Sequence, residues 1–157
     1  MSARAAAALA WIVSEIEAAG LPYQIVGGLA ARAYGATRAL HDIDLYVPFE
    51  GDRDFIDSIA PSIIWGPETL VEGPWSLTYV KLDHAGQRIE IGSPDRLALR
   101  DGRTGAWMPQ EIDFASSVRR EVLGQTVWVM PRAALIAYKT ILHRDVDLDD
   151  IAEISRP

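Results

Sequence analysis

The chain reads as an α+β domain, a two-layer arrangement of one mixed, twisted sheet of about four or five strands with helices mainly on one face. Three observations predict it. Strand-like runs joined by turn signals occupy the middle and the later part of the chain, as in Trp75–Asp83 followed by His84-Ala85-Gly86 and Gln87–Ile91. Apolar stripes at helical spacing stand near both ends: Leu9, Ile12, Val13 and Ile16, then Leu135, Tyr138, Ile141 and Leu142. Between them a short apolar strand, a glycine pair, an alanine-rich helical segment and a second strand follow one another from Tyr23 to Val47.

The first stripe belongs to an amphipathic helix that stops at Gly20. Met1-Ser2-Ala3-Arg4 ahead of an apolar run to Val13 has the outline of a secretory leader, but Glu15 and Glu17 follow at once and no small-residue cleavage site comes after. Pro22 opens a strand over Tyr23–Val26, which ends at Gly27-Gly28. Leu29–Tyr34 is helical, Gly35 turns the chain, and Ile43–Val47 is the second strand with Asp42 and Asp44 at its mouth. Pro48 ends that strand. A short helix over Asp52–Ile59 is closed by Pro61, and Ile63–Trp65 is a short strand before the Gly66-Pro67 and Gly73-Pro74 punctuation. Asp95–Arg103 is a loop or short helix, and Gln110–Ser117 adds a helical turn. Val118–Leu123 and Thr126–Met130 form a hairpin around Gly124-Gln125. Pro131 starts a helix where its missing N–H costs nothing, running to about His143. Asp147–Ile154 is a last helix whose acidic first turn suits the helix dipole. The first helix, the Leu29 helix and the Pro131 helix are expected on the apolar side of the sheet.

Side chains alternate faces along a strand. Asp42 and Asp44 therefore share one face, while Ile43, Leu45 and Val47 point to the core. On the later strand Ile89 and Ile91 share a face, and Glu90 points the other way with Arg88. Two carboxylates held at the start of a rigid strand make half a cage for a hard cation such as Mg²⁺, which takes oxygen ligands and keeps room for waters and phosphates. The glycines let a backbone approach a phosphate, and the helix start behind them offers free N–H groups.

Gly27-Gly28, a short helix, Arg38 four residues before Asp42-Ile43-Asp44, and a later strand carboxylate at Glu90 form an ordered pattern. So does the late set Ala137-Tyr138-Lys139, Arg144 and Asp149-Asp150-Ile151. The pattern resembles the polymerase-β-type nucleotidyltransferase superfamily, in particular small bacterial members of the AbiEii/AbiGii (abortive-infection, toxin–antitoxin) and lincosamide-adenylyltransferase neighbourhood. The resemblance runs from Tyr23 to about Ile154. It implies the nucleotidyltransferase fold over a single domain, residues 1–157. It also implies a metal-dependent transfer of a nucleoside monophosphate from a nucleoside triphosphate to a hydroxyl of a small molecule, a tRNA or a protein.

By the same resemblance Asp42, Asp44 and Glu90 are the catalytic and metal-holding acids, with Mg²⁺ (or Mn²⁺) as cofactor, and Glu90 is the candidate for taking the acceptor's proton. Gly27 and Gly28 would cradle the β- and γ-phosphates. Arg38 would reach them as a bidentate fork and Lys139 as a point charge, with Lys81 a weaker candidate for the same task. Two departures stand out: Leu40 occupies a place where these enzymes often carry threonine, and the third acid is Glu rather than Asp. The lack of an obvious extra helical domain implies a minimal catalytic module completed by a partner, an antitoxin or a second copy. The alternative is a catalytically degenerate protein of the same fold that binds a nucleotide or a partner, or one whose Asp-Ile-Asp supports structure only.

The bland readings stay beside these. A D-x-D is also met as solvated turn chemistry, Glu90 as an exposed carboxylate paired with Arg88, and Lys139 as a solvated helix face. Arg96, Arg100, Arg103, Arg119 and Arg120 read as surface, or as an RNA patch if clustered. His41 stands beside Asp42, placed to support it, while His84 is a turn residue and His143 a helix-end cation. The five tryptophans read as packing, with one free to stack on a base.

Composition bounds the rest. With 157 residues the chain is long enough for one core, and 49% hydrophobic against 24% charged residues is globular usage. A net charge of −7 argues against a protein that coats nucleic acid through phosphate contacts. The absence of cysteine excludes disulfides, thiolate zinc sites and a cysteine nucleophile, and suits a cytoplasmic location. No run approaches the roughly 20 apolar residues of a membrane span.

Overall fold

The computed structural model describes residues 3–156. Met1 and Ser2, which open the run weighed as a secretory leader, lie outside the described residues. Among the described residues no helix is long and apolar enough to cross a membrane.

The elements are α1 (Ala3–Ala18), β1 (Gln24–Val26), α2 (Gly27–Ala33), β2 (Asp42–Tyr46), α3 (Arg53–Ile59), β3 (Ile63–Glu72), β4 (Trp75–His84) and β5 (Gln87–Gly92). There follow β6 (Ala98–Arg100), β7 (Trp107–Pro109), β8 (Val118–Val122), β9 (Gln125–Val129), α4 (Arg132–Leu142) and α5 (Asp145–Ile154). The described strands form one mixed sheet in the order β7-β6-β4-β5-β2-β1-β9-β8, with β3 paired to β4 outside that run. The α+β class with a mixed sheet is the one predicted, but nine strands replace the four or five expected.

The centre of the sheet positions the site. β2 pairs antiparallel with β1 and parallel with β5, in a register that sets Ile43 beside Ile89, Asp44 beside Glu90 and Leu45 beside Ile91. Ile25, Ile43, Leu45, Ile89 and Ile91 are all at most 1% exposed, so the apolar face of these strands is the core. Fully burying one such side chain stabilises the fold by about 1.5–3 kcal/mol, which makes a one-residue slip of β2 prohibitive. It would turn Ile43 and Leu45 outward and bury both aspartates. α1 packs near β5, β9 and α3. Its buried stripe keeps Leu9, Ile12 and Ile16 of the expected one and extends to Ala5 and Ala8, with Val13 only half-buried.

The Pro131 helix departs from expectation. Tyr46 shares parity with Asp42 and Asp44, and its hydroxyl lies 2.6 Å from that of Tyr138, so α4 stands on the acid-bearing face rather than the apolar one. Pro131 itself sits just outside the helix at the N-cap (φ −54°, ψ 146°), and His143 closes the helix in the left-handed region (φ 55°). α5 begins at Asp145, one turn fraction earlier than predicted, and packs on α4.

The other differences are local. β3 continues through Gly66-Pro67, because register shifts between Ile63, Trp65 and Glu68 bulge the strand, a place where proline costs no ladder bond. β6 falls in the stretch read as a loop or short helix and β7 in one given no element, since three residues cannot display a period. The β8–β9 turn is Leu123-Gly124, both at positive φ, one residue before the expected one. Asp52 is the cap of α3, accepting from the Phe55 N–H at 3.0 Å.

Candidate active site

Asp42, Asp44 and Glu90 lie in the floor of a cleft of about 430 Å³ whose walls include Gly27, Gly28, Arg38, Tyr138, Lys139 and Arg144. Asp42 and Asp44 are two apart on β2, and Glu90 is the in-register neighbour of Asp44 on β5, so their Cα atoms are separated by roughly one inter-strand spacing, about 4.8 Å. Their charges act on one another. Asp44 is pushed up to about 7, first by burial and then by the Glu90 and Asp42 carboxylates, with Lys139 and Arg144 pulling the other way. Glu90 is raised by burial and then by Asp42, while Lys81 opposes the rise. Glu90 makes no ion pair with Arg88 among the described residues.

These acids do not close into a finished metal cage: among the described residues no three carboxylate or imidazole groups are so arranged. The donor set nonetheless suits a hard cation. It is all oxygen and shares one face, and Asp44 and Glu90 are both raised, first by burial and then by neighbouring carboxylates whose repulsion a divalent ion would relieve.

The glycine pair makes room for the chain's own side chains. Gly27 adopts φ +63°, and a Cβ there would lie 2.8 Å from Asp44 Oδ2. A Cβ on Gly28 would come within 2.5 Å of Leu40 Cδ2 and 2.6 Å of Arg38 Nη2. Leu40, at the position where threonine was noted as usual, thus packs over Gly28 beside the arginine. Because α2 starts at Gly27 itself, both glycines are in the helix rather than ahead of it.

The expected cations are engaged in different ways. Arg38 grips Asp150 side-on, with Nε at 2.9 Å from Oδ1 and Nη2 at 3.1 Å from Oδ2. Lys139, 1% exposed, holds its ammonium 2.9 Å from Asp150 and 3.3 Å from Asp147, both fully buried. Lys81 is the register partner of Glu90 on β4; it is not itself a lining residue, but its ammonium lies 3.6 Å from Glu72 and 5.5 Å from the centres of the Trp65 and Tyr79 rings, and Glu72 and Tyr79 both line the cleft.

Arg144 was not among the site residues inferred from the sequence. It caps α5, gripping Asp147 with Nε at 2.6 Å and Nη2 at 3.0 Å, and its guanidinium lies 4.9 Å from the Trp75 ring centre. Trp75 donates from Nε1 to the Tyr138 hydroxyl at 3.0 Å. Burial pushes Tyr138 up to about 12, so the hydroxyl stays protonated. The signal for Arg144 and Asp147 was local, a capping pair three residues apart. That for Asp150 was the three-residue spacing that puts it on the Asp147 face of α5.

The remaining candidates scatter. Arg96 pairs with Glu50 and Arg103 with Asp101, Arg119 lies over Trp128, and Arg120 lies over Tyr34. His84 stacks on Trp11 with ring centres 4.4 Å apart, and the His41 carbonyl accepts from Gln87.

No protein-family model matches the chain, and no curated protein matches it in sequence. Solved structures do match it. A Thermotoga maritima protein described as a nucleotidyltransferase has a TM-score of 0.65 at 18% identity, over 83% of this chain and 80% of that one. The antibiotic-resistance factor ANT(2'')-Ia in solution has 0.60 at 19%, over 99% of this chain and 83% of its own. The lincosamide antibiotic adenylyltransferase LnuA, lincomycin-bound, has 0.59 at 14%, over 94% of each. At these identities the likeness is one of fold, and the fold is that of nucleotidyltransferases.

Proposed function

We propose that the cleft is the active site of a metal-dependent nucleotidyltransferase that moves a nucleoside monophosphate from a nucleoside triphosphate to a hydroxyl. One observation carries the reading. Three carboxylates from two paired strands share one floor, repel one another, and face arginines across a cleft bordered by a positive-φ glycine. Asp42, Asp44 and Glu90 would hold Mg²⁺ or Mn²⁺, which supplies charge neutralisation at the phosphates and polarisation of the attacking oxygen. In such displacements positioning and charge do most of the work.

The chain's own residues take the remaining parts. Asp44, raised to about 7 by burial and then by Glu90 and Asp42, would be the carboxylate whose ionised form a bound cation favours. Arg38 lies across Gly28 at the cleft wall and presents its guanidinium to the phosphates. The acceptor oxygen bonds to the α-phosphorus, the bond from that phosphorus to the β-phosphate oxygen breaks, pyrophosphate leaves, and the acceptor's proton passes to Glu90. Glu90 suits that task because burial and Asp42 raise its basicity. The acceptor we favour is a hydroxylated small molecule, since ANT(2'')-Ia has been crystallised with adenylyl-2''-tobramycin and LnuA with lincomycin. Membership of a toxin–antitoxin pair is part of the same proposal and is tested by co-purification with the product of an adjacent small gene.

The test is incubation with Mg²⁺ and each radiolabelled nucleoside triphosphate over a panel of aminoglycosides, lincosamides and tRNA. Metal-dependent label transfer with pyrophosphate release is expected, reduced roughly 100-fold or more in an Asp42→Ala/Asp44→Ala double variant. Nucleotide binding without transfer to any acceptor would instead make this the degenerate, nucleotide-binding form of the fold.

A further inference from the structure

Two arginines approach the cleft in the same manner. Arg38 gives Nε and Nη2 to Asp150, and Arg144 gives Nε and Nη2 to Asp147. In each case Nη1 has no protein partner among the described residues, and the side chain is about a third to two-fifths exposed (33% and 43%). Both line the cleft that holds Asp42 and Asp44. The two carboxylates lie three residues apart on α5, fully buried, and Lys139 bridges them from α4. A buried cluster of this kind costs desolvation that packing alone would avoid, so its presence calls for a role beyond stability.

We propose that Asp147 and Asp150, tied together by Lys139, are positioning residues that hold Arg38 and Arg144 side-on, so that the two free Nη1 ends form a two-armed receptor for the triphosphate in the Asp42–Asp44 cleft. The inference rests on the nucleotidyltransferase reading and deepens it. Arg144 becomes a phosphate-binding arm, and Lys139 becomes the keystone between the two carboxylates instead of a phosphate contact. Three cations against two carboxylates leave one uncompensated positive charge in the cluster. A guanidinium gripped along one edge keeps little rotational freedom, so less entropy is lost when its remaining end meets an anion.

The test measures the binding of inorganic tripolyphosphate with Mg²⁺ by calorimetry, in the wild type and in Asp147→Asn and Asp150→Asn. Each substitution removes a negative charge beside the cleft, so electrostatics alone predicts equal or tighter binding. The positioning role predicts the opposite, a loss of roughly tenfold in each. If either variant fails to fold by circular dichroism, Arg38→Lys and Arg144→Lys decide, since lysine keeps the charge and lacks the fork. A similar loss is expected in both, with Mn²⁺ affinity in the absence of phosphate unchanged. Wild-type binding that these variants leave intact or strengthen overturns the two-armed receptor alone. A wild type that binds no tripolyphosphate overturns the nucleotidyltransferase reading and this inference with it.

Discussion

Replacing Gly27 by alanine separates the backbone role of that glycine from its role at the site, provided Gly20→Ala is made beside it. Both glycines have left-handed backbone, φ +63° at Gly27 and φ +70° at Gly20, but a Cβ at Gly20 meets nothing within 4 Å while one at Gly27 lies 2.8 Å from Asp44 Oδ2. The left-handed conformation costs an alanine about 1–2 kcal/mol. In a chain of this size each kcal/mol lowers Tm by roughly 2–4 °C, so before any unfolded-state offset both variants would melt about 2–8 °C below the wild type. The smaller conformational entropy of an unfolded alanine offsets both by the same few tenths of a kcal/mol to about 1 kcal/mol. Only Gly27→Ala must also move Asp44 or the start of α2. Its affinity for Mn²⁺, titrated by calorimetry or by the loss of the free-ion electron paramagnetic resonance signal, should fall roughly tenfold or more, equivalent to about 1.4 kcal/mol. Gly20→Ala should bind Mn²⁺ as the wild type does. Equal affinity in the two alanine variants would refute the view that the glycine exists to let Asp44 stand where it does.

A pH prediction follows from Asp44. Its folded-state value, raised to about 7, lies above the roughly 3.9 of an unfolded aspartate, so its protonated form stabilises the cation-free fold at low pH. That contribution is complete below the unfolded value and lost as pH rises through about 7. Thermal melts of the metal-free protein should therefore decline between about pH 4 and 7, Mn²⁺ affinity should rise over the same window, and Asp44→Asn should flatten both trends. Lys139→Met leaves Asp147 and Asp150 buried with one cation fewer between them, and denaturant unfolding should show a loss of on the order of 3–5 kcal/mol. A Lys139→Met protein as stable as the wild type would mean that the two arginines alone satisfy those carboxylates. Trp75→Phe removes the Nε1–H that Tyr138 accepts at 3.0 Å and should cost about 0.5–1.5 kcal/mol of stability by the same measurement.

What could be read ahead of the structure was whatever a short-range period decides. The alternation of Asp42-Ile43-Asp44-Leu45 fixes which side chains face the core, and Ile89-Glu90-Ile91 does the same for the third acid. The pairing of β2 with β5 was not legible, because nothing in either strand names its partner; only an ordered motif suggested that Glu90 belonged with Asp42 and Asp44. Arg38 shows the limit from the other side. Its type marked it as an anion binder, but the anion it meets in the fold is Asp150, 112 residues away. Lys139, read as a point charge for the phosphates, lies between two carboxylates that could not be foreseen, since a helix-face lysine carries no local sign of the aspartates that α5 brings to it. The Arg144–Asp147 contact spans three residues and was within reach of a capping argument. β6 and β7 were beyond reach, because Ala98–Arg100 and Trp107–Pro109 are strands only by virtue of their neighbours.

The account stands most directly on the rate at which the protein frees pyrophosphate from a nucleoside triphosphate in the presence of Mg²⁺ and an acceptor, with Glu90→Gln as the comparison. A folded Glu90→Gln protein that is slower by roughly 100-fold is the predicted result. Release at the wild-type rate without the Glu90 carboxylate, or none from the wild type with any of the four common nucleotides, would contradict it.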